Sequence, residues 1–208
     1  MAEDDSEPAD LIFVLAGHRT RKIFGALLVA DGRAPAVLMS TGNPPFIARL
    51  LLAEAADRVA LDAHVWVQVR EAANGPPPPA GQFFASLDSR RWSAQSIPVG
   101  RLGTLSEIRA FASWLAQRPD IRRVLVVSSG LHLRRLRMCC RRLIPRDRSL
   151  RYVAARLTDE ALAARGERRE LETPALVLLE SAKVLLYGFL LPFVGRASTA
   201  SDRKSRHA

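Results

Sequence analysis

Val124 to Arg142, VLVVSSGLHLRRLRMCCRR, sets a run of aliphatic strand formers against Ser128-Ser129-Gly130 and then an arginine-rich helix carrying His132. The chemistry open to such a stretch is anion binding and proton transfer. Small residues where a strand turns into a helix let backbone N–H groups approach a phosphate or carboxylate, and the helix adds its unpaired first amides. Arg134 and Arg135 suit forked donation to such an anion, and equally suit a solvated helix face. His132 lies at the start of the helix, where the dipole favours a neutral imidazole able to act as base or donor. A capping or core-edge histidine is the competing reading, because the sequence assigns it no orienting carboxylate.

Two further turns have the same character. Leu11 to Ala16, LIFVLA, runs into Gly17-His18-Arg19, and Ala36 to Met39, AVLM, runs into Ser40-Thr41-Gly42. If the three strands are parallel, all three turns meet at one edge of a sheet, with Arg19 and Arg21 beside them. The turns and the helix after them therefore offer Gly17, Arg21, Ser40, Gly42, Ser128, Ser129 and Arg135 as candidate ligand-binding residues, with His132 as a candidate base. Glycine and serine also serve such turns for ordinary steric reasons. The spacing of Thr104 and Glu107 fits a capping box, which explains the pair structurally.

Several chemistries are absent as motifs. There is no GxSxG elbow, no P-loop, no HExxH and no CxxC, and Gly17-His18-Arg19 lacks the glycine spacing of a dinucleotide fingerprint. Cys139 and Cys140 are neighbours whose side chains diverge by about 100° on a helix, so they read as reduced and buried rather than as a disulfide or metal clip. Dispersed carboxylates holding Mg²⁺ are the remaining metal reading. The few aromatics do not interleave with basic residues, so no specific nucleic-acid binding is expected.

The elements that must position these residues follow from periodicity. Arg21 to Gly32 has apolar residues at helical spacing; Pro44-Pro45 opens a helix over 46–59; His64 to Val69, HVWVQV, alternates like a strand. The proline run from Pro76 to Pro79 predicts an extended loop, so 70–98 reads as a loop insertion, with Phe83, Phe84 and Trp92 as packing for that loop or, less favoured, an apolar lid. Thr104 opens the helix LSEIRAFASWLAQ; Val124 to Val127 is a strand, Leu131 to Leu143 a helix, and Leu150 to Ala154 a weaker strand. Alternating helices and wholly apolar strands predict an α/β fold with a mostly parallel sheet covered on both faces. One domain spans 10–194, flanked by a disordered start at 1–9 and a disordered basic tail at 195–208.

Lys and Arg number 31 against 21 Asp and Glu, a formal charge of +10, and Lys22, Lys183 and Lys204 are the only lysines. Such a chain attracts phosphates and anionic lipid surfaces. MAEDDSEPAD has neither a basic nor an apolar leader segment, which predicts a cytoplasmic location. In Ala175 to Val194 the apolar gain for membrane insertion nearly cancels against Glu180 and Lys183, and Pro192 disturbs the far end. The segment is expected to pack on the domain, with an interfacial or partner-binding helix as the alternative and a membrane span the least favoured reading.

Taken in order, these residues resemble the YdcF-like family. The resemblance runs through Gly17, Arg21, Gly32-Arg33-Ala34-Pro35, Ser40-Thr41-Gly42, Thr104 with Glu107, and VSSGLHLRR from Val127 to Arg135, which is similar to the family's V-[ST]-S-x-x-H-x-x-R. Glu180, Lys183 and Tyr187 resemble its closing helix. The chain departs at Ala16-Gly17, where the family has a glycine pair, at Gly103, where it has Asn or Ser, and at the proline loop. The resemblance implies a Rossmann-like three-layer α/β/α domain with a pocket at the strand ends, in which Glu107 and His132 are the candidate acid and base and Thr104 joins the ligand-binding residues. It also implies a role in bacterial envelope or lipid-carrier metabolism, with an anionic small-molecule or lipid-linked ligand. No cofactor is specified and catalysis stays open. A non-catalytic nucleotide or S-adenosylmethionine sensor is one alternative; a protein docking to a membrane or partner through 175–194, peripheral at the inner membrane, is another.

Overall fold

The computed structural model describes residues 8–76, 78–98, 100, 103–158, 163–164 and 173–193. The expected disordered start and basic tail fall mostly or wholly outside these residues, as do Val194 and Pro77 of the proline run.

The chain opens with β1 (Leu11–Val14), α1 (Arg19–Ala30), β2 (Val37–Thr41) and α2 (Pro44–Ala55), followed by α3 (Ala63–Asn74). Next come β3 (Gln82–Leu87), β4 (Trp92–Ile97), α4 (Gly103–Ala116), β5 (Arg123–Ser128) and α5 (Gly130–Leu143). Last are β6 (Ser149–Ala154), α6 (Pro174–Leu190) and a 3₁₀ turn at Leu191–Phe193. The strands form one sheet in the order β4-β3-β2-β1-β5-β6. β1 pairs in parallel with β2 and β5, and β5 with β6; β3 is antiparallel to both β2 and β4. The fold is thus α/β, mostly parallel and Rossmann-like in its three layers.

β1 is buried on both faces because each of its sides meets a helical layer. Ile12 and Val14 join α1, α2 and α3 in one core, whereas Leu11 and Phe13 join α4, α5 and α6 in the other. Phe13 stacks on Phe111 of α4 at 3.8 Å between centroids and meets Phe84 of β3 edge-on at 5.8 Å. On the opposite face α1 lies so close to the sheet that a Cβ on Gly25 would stand 2.4 Å from Val14 Cγ2. Gly25→Ala should therefore lower stability by about 1–3 kcal/mol through overpacking; a urea midpoint equal to wild type would contradict that fit.

The segment expected to be a loop insertion is folded. Residues 63–74 form α3 rather than a strand over His64–Val69, because Val65, Trp66, Val69 and Ala73 recur at helical spacing and are buried. The alternation of HVWVQV is a short stretch of that longer helical pattern. β3 and β4 then form a hairpin, with Asp88 Oδ1 accepting the amides of Arg90 and Arg91 in the turn. Its strands read as loop because one face is wet: Ser86 and Ser93 pair their hydroxyls across it at 2.7 Å.

α6 packs on α5 through Glu180 and Tyr187, followed by Leu191 in the 3₁₀ turn. Among the described residues no helix is long and apolar enough to cross a membrane. Cys139 and Cys140 are buried, free thiols, each pushed up to about 12 by burial.

Candidate functional site

The chain leaves β1 towards one face of the sheet, into α1, and leaves the adjacent β5 towards the other, into α5. Where the connections of two neighbouring parallel strands diverge in this way, α/β sheets form their ligand crevice at the carboxyl ends. Arg21 bridges it. Its Nη1 donates to Ala16 O at 2.7 Å after β1, and its Nη2 donates to Ser129 Oγ at 2.8 Å after β5. Gly17 makes room for that side chain: its φ is +122°, and a Cβ there would lie 2.6 Å from Arg21 Nη1. His18 caps α1, its Nδ1 accepting the Thr20 amide at 3.3 Å. Ser129 stands at the N-cap of α5 but makes no side-chain cap bond. The positive end of α5 therefore faces the crevice without a capping oxygen. Ser128 beside it is fully buried, and its hydroxyl has no hydrogen-bond partner among the described residues.

Around the end of β1 lies a buried acid and base. Glu107 of α4 accepts the Ala16 amide at 2.7 Å and the Ser40 hydroxyl, and Gln82 Nε2 donates to Ser40 Oγ at 2.8 Å. From α1, Lys22 Nζ donates to the carbonyls of Leu15 and Val14. Burial pushes the Glu107 carboxyl up, against the opposing pull of its hydrogen bonds and of Lys22. Burial likewise pushes Lys22 down to about 7, with Glu107 holding it partly up and Arg21 adding to the fall. Two groups whose proton affinities move towards each other in this way are suited to exchanging a proton near neutral pH.

The second cluster joins α5 to α6. Glu180 Oε2 lies 2.9 Å from His132 Nδ1 and 2.6 Å from Arg135 Nη1, while its Oε1 accepts from Lys183 Nζ at 2.8 Å. Burial alone would raise the Glu180 carboxyl, but Lys183, His132 and Arg135 outweigh it and bring it to about 2. His132 is held below the usual histidine range, first by burial and then by Arg21 and Arg135, against the pull of Glu180. Arg135 lies over the Tyr187 ring at 5.6 Å, and the Tyr187 oxygen takes the Leu105 amide and the Thr104 hydroxyl.

The structure thus gathers most of the residues singled out in the sequence. Gly17, Arg21, Ser40 and Glu107 surround the end of β1; Ser129 joins them through Arg21; His132 and Arg135 share Glu180; Thr104 is tied in through Tyr187. Ser128 lies in the buried end of β5. Gly42 lies apart, in the exposed turn between β2 and α2, where a Cβ would approach Gly81 O at 3.5 Å. The capping box of Thr104 with Glu107 does not form, because α4 starts at Gly103 and the Glu107 carboxylate is spent across the sheet edge on Ala16.

Lys22 and Gln82 are not legible as site residues from the sequence, and Glu180 only through the family resemblance. For Lys22 there is one signal: only three lysines occur in this arginine-rich chain, and two of them, Lys22 and Lys183, lie in these clusters. Among the described residues no three His, Cys, Asp or Glu side chains gather as a metal site. No family model matches the chain, and neither curated proteins nor solved structures yield a significant match.

Proposed function

We propose that this chain is a YdcF-like protein that binds an anionic, phosphate-bearing ligand at the carboxyl ends of its parallel strands, as an enzyme of envelope or lipid-carrier metabolism. The observation that carries the reading is Arg21 spanning the crevice between the β1 and β5 connections, next to the uncapped start of α5. A guanidinium and helix amides converging where strand connections diverge favour an anion over a neutral ligand.

The chemistry follows from the two clusters. Glu180 Oε2, 2.9 Å from His132 Nδ1, favours the tautomer protonated at that atom and leaves Nε2 as the basic atom of a neutral ring. His132 is then the general base. Glu107, its carboxyl pushed up by burial against the pull of Lys22, is the general acid. Arg21 holds the anion, and the first-turn amides of α5 stabilise charge that develops on it. Arg135 is given to Glu180, so its part is to hold the carboxylate that orients His132.

A thermal-shift series with inorganic phosphate, a nucleoside monophosphate and a prenyl phosphate tests the reading. At a hundredfold excess over Kd, a true ligand should raise Tm by roughly 5–10 °C. The shift should vanish in Arg21→Gln and persist in His132→Gln, which should instead lose turnover of that ligand. Shifts of equal size in wild type and Arg21→Gln would remove the crevice as the anion site.

A further inference from the structure

One face of α6 is left without a partner by the fold. Ala175, Leu178, Leu179, Ala182, Leu185 and Leu186 recur at i, i+3, i+4, i+7, i+10 and i+11, so they share one side of the helix, and all are exposed. Leu178 and Leu185, at its centre, are 72% and 76% exposed. A contiguous apolar stripe of this kind is uncommon on a monomer surface and marks an interaction site. The two charged residues of the helix, Glu180 and Lys183, are turned instead towards α5, where the Glu180 carboxylate is buried on His132 and Arg135. The chain beyond the helix carries Arg196, Arg203, Lys204 and Arg206 against the single acid Asp202.

We propose that α6 lies flat on an anionic lipid surface, its leucine face in the headgroup and acyl boundary and the chain's net positive charge attracted by the phosphates. Charge decides this occupant over a second copy of the chain. Pairing two α6 faces would bring together two basic tails on molecules that each carry +10, whereas an acidic bilayer neutralises both tail and body. Length agrees. At 17 residues the helix is about 26 Å long, and the docked Glu180 requires it to stay on the protein, so it lies in the interface plane and does not span.

The test is co-sedimentation of the full chain with vesicles of neutral phosphatidylcholine, and of phosphatidylcholine carrying about 30% phosphatidylglycerol. Binding should be at least tenfold stronger to the acidic vesicles and should weaken as salt rises from 0.05 to 0.5 M, since exposed charges are then screened. Leu178→Glu with Leu185→Glu should cut it at least tenfold while leaving the melting curve unchanged, because both side chains are already in water. Reversing Arg203, Lys204 and Arg206 to glutamate should do likewise. Absence of binding to acidic vesicles, or equal binding by the leucine variant, overturns the proposal. So does a concentration-dependent dimer in size exclusion that the leucine variant disperses, which assigns the face to self-association.

Discussion

Glu180→Ala should be among the most damaging single substitutions in this protein, costing about 3–5 kcal/mol at pH 7, because it leaves a buried guanidinium without its counter-ion. Arg135, its Nη1 2.6 Å from Glu180, is itself buried, and His132 and Lys183 lose the same partner. For a domain of this size the loss corresponds to a fall in Tm of roughly 10 °C. The pH dependence identifies the cause. Glu180 has a folded-state pKa of about 2 against 4.5 when free, so its contribution is complete above pH 4.5 and disappears as pH falls from there towards 2. Wild type and variant should therefore differ fully at pH 7 and converge by about pH 2, measured as urea midpoints. A gap that persists unchanged at pH 2 would mean that shape, not charge, is lost. If the crevice takes phosphate, millimolar phosphate should return part of the lost stability by reaching the cations that Glu180 vacates.

The legibility of this fold varies along the chain for physical reasons. β1, β2 and β5 are legible because a strand buried on both faces must be apolar throughout, and their ends are marked by Gly17, Ser40 and Ser128. α3 resembles a strand because its first six residues satisfy a period of two as well as one of 3.6, and only Ala73, further along, separates the two patterns. The β3–β4 hairpin is hidden by its wet face: Ser86, Ser93 and Gln95 interrupt the apolar alternation. Local pattern reports burial, and these strands are only half buried.

At the site the limit is distance along the chain. His132 is visible as a first-turn histidine, but the carboxylate that orients it lies 48 residues further on, on α6, and nothing in the spacing announces the pair. Glu107 shows the converse. Its spacing from Thr104 fits a cap, a complete local explanation, yet the side chain reaches across 91 residues to the Ala16 amide. A capping box and a cross-sheet carboxylate use the same residue types, and only tertiary packing decides between them.

Lys22→Met should show a pH dependence that no ordinary core substitution shows. Lys22 is pushed from 10.5 down to about 7 by burial, so the folded state penalises its charge fully below pH 7 and progressively less up to 10.5. Wild type therefore gains stability relative to the methionine variant as pH rises through that window. The change is on the order of several kcal/mol, at about 1.4 kcal/mol for each pH unit that separates the folded and free values. The variant has a second contribution of the same sign. Glu107 loses its neighbouring cation, so its ionised form becomes costlier, and a carboxyl with a raised folded-state pKa loses stability as pH climbs from 4.5. Both effects make Lys22→Met most favourable, relative to wild type, at pH 5 and least at pH 9.5. Urea midpoints at pH 5, 7 and 9.5 read the trend, and a constant difference would show that the amine keeps its charge throughout. Lys22→Arg should lose stability relative to wild type as pH rises above 7, because a guanidinium cannot shed its proton there. In a chain that otherwise places arginine almost everywhere a cation is needed, that difference explains a lysine at position 22: the end of β1 takes a base that can be neutral, beside an acid that can be protonated.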